Sequence, residues 1–434
     1  MADGNDGRLG GSFLRLWAAS TTSALGSGLA AVATPLLVAT RTDDPLLVSA
    51  ATAVGWLPWL LFALPGGVLV DRVDRRRLML AIDWARVAAL VVLAAAVAAG
   101  RASTALLFIV LFVVATGEVV FRSASQALVP AVVPAVLLER ANGWLFGGTM
   151  LMQQMVAGPL GGFLFVVAAS IPFAVNAGTY AASALLLTLI GGTYRVPVRD
   201  GRTGVPTAVP AAGGGPWLRA LWADVAEGFR WLAGQRLLRT MAVLIGLLNV
   251  TLTAATAVLV LLARDRLGLG SVGYGLLFTA MAVGGLLGAV AGDRVIAALS
   301  ATWTIRIGLI IEAATHLVLA TTRSAVLVGA VFVAFGVHGA LWGIVASSLR
   351  QRLTPPEMLG RVGSTTLFLA AGGNCVGALL GGVLAGAFGL TAPYWVGFAV
   401  AVGVAATTWR VFDRSTVAAA YAMGAPATPA SSGA

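Results

Sequence analysis

Long apolar stretches alternate with short polar, arginine-bearing breaks along nearly the whole chain. A helix needs about 20 mostly apolar residues to cross the hydrocarbon of a bilayer. On that ruler twelve stretches qualify: 13–40, 45–70, 78–99, 104–128, 141–167 and 171–192, then 237–263, 271–292, 302–320, 324–349, 358–388 and 391–411. Between the two sets, 193–216 is rich in Gly, Pro and Arg and reads as a linker. Leu218, Leu221, Trp222, Val225, Phe229 and Leu232 then fall at helical spacing, with Trp217 and Trp231 beside them. That pattern predicts an amphipathic helix lying along the membrane surface.

Two landmarks repeat at nearly one offset. Gly67-Val68-Leu69-Val70-Asp71-Arg72 is echoed by Gly288-Ala289-Val290-Ala291-Gly292-Asp293-Arg294, with Asp71 and Asp293 separated by 222 positions. Pro134 to Arg140 is echoed by Pro355 to Arg361, at an offset of 221. The agreement predicts an all-α membrane protein with twelve transmembrane helices in two pseudo-symmetric six-helix bundles. The segments are then an N-terminus (1–12), a first bundle (13–192), a linker with the interfacial helix (193–236), a second bundle (237–411) and a disordered tail (412–434).

Composition narrows the class. With 434 residues, 59% hydrophobic and 10% charged, and a mean hydropathy of +0.93, the chain is too apolar for a soluble domain. The formal net charge of +11 would point to nucleic acid in a soluble protein, but all 28 basic residues are arginine and sit mostly in short loops. If both termini are cytoplasmic, twenty arginines face the cytoplasm, five face outward and three lie inside spans. That asymmetry predicts a multi-pass protein of the inner (cytoplasmic) membrane and no nucleic-acid partner. The single cysteine, Cys375, excludes an internal disulfide framework or a thiolate metal cluster. The first eleven residues, short and mixed in charge, do not read as a cleaved signal peptide. No phosphate-binding loop, nucleophile–base set or cofactor fingerprint is present, so neither an enzyme nor a resident cofactor is expected.

Residues 71–77 pack six charges into seven positions. The segment resembles the signature between helices two and three of the major facilitator superfamily: Gly67, Leu69, Asp71, Arg72, Arg75 and Arg76 match, while Val70 replaces a small residue and Asp74 a glycine. Leu57-Pro58, Glu139-Arg140-Ala141-Asn142-Gly143, Gly158-Pro159-Leu160-Gly161-Gly162 and Leu349-Arg350-Gln351-Arg352-Leu353 extend the similarity to the enterobactin-exporter-like and macrolide-efflux-like branch. The resemblance implies alternating access by a monomer, and proton-coupled efflux of a hydrophobic or amphipathic drug or secondary metabolite. An importer or uniporter, or a lipid translocator or non-transporting receptor on the same fold, remains the alternative. By the same resemblance, Gly67, Asp71, Arg72, Arg75 and Arg76 form a gate. Asp71 would face the positive N-terminal end of helix eleven near Glu357 and, with Arg75, latch the outward-facing state; the alternative is an arginine cluster that only retains the loop inside.

Charges inside spans are costly and so mark candidate function. Asp83 and Arg86 lie on helix three, Glu118 and Arg122 on helix four. Depths counted from the cytoplasmic ends match Asp83 with Arg122 and Arg86 with Glu118, with an i,i+4 contact of Glu118 and Arg122 as competitor. The cluster either neutralises itself or carries a coupling proton, for which Glu118, the deeper acid, is the better candidate. In the second half Glu312 and His316 on helix nine and His338 on helix ten allow a structural Glu–His contact or a proton relay; no third firm ligand makes them a metal site. The resemblance places the cavity between helices one, four, seven and ten, where Thr22, Asn249, Thr253 and Trp342 are the candidate lining. Gln153, Gln154 and Asn374 add polar groups from helices five and eleven.

Overall fold

The computed structural model describes residues 9–192, 194, 216–355, 358–413 and 415, without the side chains of 64, 66–69, 71, 72, 216–221 and 224. Apart from Tyr194 and Pro216, the linker expected at 193–216 lies outside the described residues, as does most of the expected tail. Every long element within them is helical. The first half holds α1 (Gly11–Ala39), α2 (Pro45–Arg72), α3 (Arg75–Ala98), α4 (Thr104–Val132), α5 (Leu138–Met150), α6 (Ala157–Val167) and α7 (Ile171–Thr188). A π-helical turn, Leu151–Val156, joins α5 to α6 into one crossing. Then come α8 (Pro216–Gly234), α9 (Arg236–Ala257), α10 (Leu259–Asp265), α11 (Ser271–Thr321), α12 (Ala325–Leu353), α13 (Leu359–Phe388) and α14 (Ala392–Thr408).

Ten helices among the described residues are long and apolar enough to cross a membrane, and α14 is a shorter apolar helix. One of the ten, α11, has 51 residues. At 1.5 Å per residue it would be about 76 Å long, more than twice the thickness of the hydrocarbon layer. It breaks at Ser300, the one described non-glycine residue with a positive φ, at 70°. The described residues thus accommodate twelve crossings, with α9 and α10 together making the seventh. Sequence separates helices eight and nine by a charged hairpin; the structure carries helix through Asp293 and Arg294 up to Ser300. Ile296, Ala297, Ala298 and Leu299 are adequate helix formers, and no glycine or proline interrupts them.

The two halves pack in the same way. In the first, α1 lies on α7, and α4 lies against α2 and α3; in the second, α9 lies on α13 and α14, and α11 on α12 and α14. Across the middle α2 runs against α13, and α6 against α11. In crossings these are two with eleven and five with eight, pairs exchanged by a shift of six. Gly158 and Gly275 let the second joint close: a β-carbon on either would strike the other's backbone. Thr279 reinforces it by donating to the Met155 carbonyl at 3.3 Å.

Contacts between the halves extend to the distal face, opposite the start of α1 and the end of α14. Arg264, ending α10, donates to the Ala39 carbonyl at 2.9 Å and to Asp43 at 2.7 Å. Cys375 meets the Ala53 carbonyl, and Gly382 lies on Ser49 and Leu46. On the face carrying the termini, α8 docks on α13: Arg361 donates to Glu227 at 3.0 Å, the Trp222 and Phe368 rings meet edge to face, and Val225 and Leu232 are buried. Phe412, assigned by sequence to the tail, is fully buried in the second-half core beside Val345 and Leu349. An apolar ring immediately past the last helix finds a better environment there than in water.

Candidate functional site

Arg86 is the largest fully buried side chain in the structure. Its guanidinium donates to Glu118 Oε2 at 3.1 Å, to Asp83 Oδ1 at 3.4 Å and to Ser23 Oγ at 3.2 Å. It also lies over the rings of Tyr180 and Phe121, 4.6 and 5.4 Å from their centroids. Gly117 makes the space, since a β-carbon there would strike Arg86 Nε. Ser183 donates to Asp83 Oδ2 at 2.7 Å, and Ser27 donates to Glu118 Oε2 at 2.5 Å. Two carboxylates thus share one guanidinium inside the bundle, leaving one negative charge in excess when both are ionised.

The structure joins Arg86 to Glu118 and separates the other depth-matched pair. Asp83 turns to Arg86 and Ser183, whereas Arg122 lies over the Trp59 ring at 5.6 Å. Depth fixes height along a helix but not direction around it. Three residues apart, Asp83 and Arg86 share a face of α3; one turn beyond Glu118, Arg122 points out of α4 toward α2.

Glu118 and Arg122 line a central cavity of about 610 Å³ between the halves. Its walls are largely apolar and aromatic, with Trp56 and Trp59 of α2, Gln153 and Gln154 of the π turn, and Asn374 of α13. Asp83 and Arg86 lie behind this wall, fully buried. A second cavity of about 400 Å³ opens within the other half, between α9, α11 and α12, lined by Asn249, Trp342, Phe335, Glu312, His338 and Arg350. Among the described residues the expected single chamber between helices one, four, seven and ten is therefore divided, with these two spaces on either side of the division. Close packing of α9 on α13, where Gly373 and Gly377 meet the Gly246 and Val250 carbonyls, stands between them. Of the candidate lining residues, Asn249 and Trp342 face the second cavity. Thr253 is spent on Asn374 at 2.7 Å, and Thr22 lines neither space. His316 bonds the Glu312 carbonyl at 3.0 Å and packs on Gly397 of α14, outside the second cavity's lining.

Ser27, Tyr180, Trp56 and Trp59 were not singled out by sequence. The tryptophans carried a readable signal: both sit well inside a span, whereas tryptophan ordinarily gathers at the membrane interfaces. Ser27 and Tyr180 carried none, because their roles depend on how α1, α4 and α7 come together.

The family model described as "transmembrane secretion effector" matches residues 10–422. The chain belongs to this family of the major facilitator superfamily. It is a family of transporters, not of enzymes. Macrolide efflux protein A of Streptococcus pyogenes is 30% identical over 132 residues, covering 30% of this chain and only 33% of that protein. The multidrug efflux pump Tap of Mycolicibacterium fortuitum is 25% identical over 396 residues, covering 88% of this chain and 91% of Tap. A bacterial homologue of the iron transporter ferroportin superposes with a TM-score of 0.69 at 17% identity, covering 93% of this chain and 99% of that one. A bacterial homologue of the lysosomal transporter Spinster gives 0.66 at 15%, covering 95% and 97%. At these identities the two structures establish the shared fold alone.

The superfamily signature lies at the turn between α2 and α3. Gly67, Asp71 and Arg72 are in α2, and their side chains lie outside the described residues. Asp74 caps α3 by accepting from the Arg77 amide at 2.9 Å, and it also accepts from the Tyr194 amide at 2.8 Å. Arg75 donates to the Ala127 carbonyl at 2.8 Å, while Arg76 takes the Leu187 and Thr188 carbonyls at 2.9 and 2.7 Å. These arginines tie the turn to α4 near its end and to the last turn of α7, where the Leu187 and Thr188 carbonyls have no i+4 partner within the helix.

Proposed function

We propose that the chain is a proton-coupled exporter of a hydrophobic or amphipathic compound, working as a monomer in the cytoplasmic membrane with both termini inside. The observation carrying this reading is Glu118, which lies on the wall of the central cavity and is bound to Arg86 at the same time. Solute entering the cavity and a proton arriving at the cluster would compete for one carboxylate, so each could displace the other. The apolar and aromatic walls favour a lipophilic solute over a sugar or phosphate, and the names of the efflux relatives point the same way. With cytoplasmic termini, the distal contacts through Arg264, Asp43 and Ala39 would hold the halves together on the outer side, and the chamber would load from inside. Gly67, Asp71, Arg72, Arg75 and Arg76 would then serve as the inner gate, Asp71 engaging α13 once the halves tilt.

Accumulation of ethidium in a host expressing the chain, with and without a protonophore, tests the direction and energy source. Lower accumulation that the protonophore abolishes is the expected outcome. Higher accumulation on expression would mark an importer, and indifference to the protonophore would remove proton coupling.

A further inference from the structure

The second half holds a buried acid that the export reading does not use. Glu312 is 2% exposed and lines the 400 Å³ cavity, and its Oε1 accepts no hydrogen bond among the described residues. His338 lies across from it on α12, Nε2 to Oε2 at 3.8 Å, itself 7% exposed and lining the same cavity. The histidine is held in place: its ring fills the notch at Gly308, where a β-carbon would strike Nδ1. The pair thus stands rigid on two packed helices, closer than a shell of water would allow and farther than a direct hydrogen bond.

The other charged and titratable groups around Glu312 are few. On α11 itself, His316 Nδ1 is 4.0 Å from Oε1 but bonds the Glu312 carbonyl, and Arg306 turns to the Trp303 and Trp409 rings and the Trp409 carbonyl. From α14 comes Tyr394, whose hydroxyl donates to the Ala255 carbonyl at 3.0 Å. The cavity-lining side of α9 offers Asn249 and no ionisable group, and Arg350 of α12 lines the same cavity three turns beyond His338. Unlike Glu118, Glu312 has no arginine against it among the described residues. Ionised beside a neutral histidine, it would leave an uncompensated charge in an apolar wall; one proton, held on either Oε2 or Nε2, removes it.

We propose that Glu312 and His338 form a second proton-binding site, separate from the Glu118 cluster and exchanging its proton through the second-half cavity. The two sites fall on corresponding helix pairs, crossings three and four in one half and nine and ten in the other. The first has a permanent cation as partner and the second a titratable one. Each half therefore carries its own protonatable carboxylate, and the second site needs no solute to fill.

Infrared difference spectra of the full chain in liposomes, taken between mildly acidic and mildly alkaline buffer with protons as the only ligand, test this. The Asp83→Asn, Glu118→Gln double variant should keep a pH-dependent protonated-carboxyl band, and adding Glu312→Gln should remove it. His338→Asn should keep the band and move its midpoint by about one pH unit or more, as loss of a coupled partner requires. If Glu312→Gln does not fold, the His338→Asn arm decides alone. A band that survives Glu312→Gln, or a midpoint that His338→Asn leaves unchanged, overturns the proposal. Neither result depends on whether Glu118 drives export.

Discussion

Arg86 shows how much one side chain can organise. It gathers Asp83, Glu118, Ser23, Tyr180 and Phe121 from four helices around a guanidinium with no exposed surface. Arg86→Gln would leave the buried Asp83 and the half-buried Glu118 without their cation, and an expected loss of about 3 kcal/mol should be readable by thermal unfolding in detergent. Gly117→Ala pushes a methyl group into the same space, with about 1–3 kcal/mol expected in the same assay. An unchanged melting temperature in either variant would mean the cluster is looser than its geometry. Sequence could find Arg86 with Glu118 because both are charged at similar depth. It could not orient Asp83 or Arg122, since azimuth is set by how α3 and α4 are turned against α7 and α2. Nor could it choose between one chamber and two.

Among the elements, the π turn at Leu151–Val156 is the least legible in sequence and the most suggestive in place. One extra residue in the turn widens it, and widened turns frequently mark functional sites. Here it directs Gln153 and Gln154 into the central cavity, while its Met155 carbonyl takes the Thr279 hydrogen bond from the other half. Deleting Met152 should close the turn into α-helix and rotate the glutamines away. Weakened ethidium binding, followed by fluorescence, with an unchanged melting temperature is the expected result; unaltered binding would make the glutamines bystanders. The helical form of α8, by contrast, is plain from its apolar spacing. What spacing could not give was its anchor, the Glu227–Arg361 pair on α13, which depends on the return of a helix more than a hundred residues later.

At the scale of the whole molecule the duplication read from Asp71 and Asp293 reappears in packing, as crossings two and eleven, and five and eight, form equivalent joints between the halves. The halves differ in what they bury: an arginine with two acids in one, an acid with two histidines in the other. Residue types revealed that asymmetry directly, whereas the separation of the cavities needed the glycine-lined seam of α9 and α13. Closure at the distal face rests partly on Arg264, which is 42% exposed, as is its neighbour Asp265, while Asp43 is 87% exposed. Such an exposed ion pair contributes up to about 1 kcal/mol. Arg264→Ala, which also loses the bond to the Ala39 carbonyl, should therefore shift the balance toward open distal faces by about fivefold or more, measurable as spin-label distances across that face.

In the proposed mechanism Glu118 exchanges a proton for solute. Uptake of ethidium into energised inverted vesicles, comparing Glu118→Gln with the unaltered chain at matched expression, tests it most directly. An amide of the same shape fills the cavity wall and can still meet Arg86, but it cannot carry the proton. Gradient-driven uptake should be lost in the variant, and its binding of ethidium should be weaker and no longer change with pH; uptake at the original rate would exclude Glu118 as the exchanging acid.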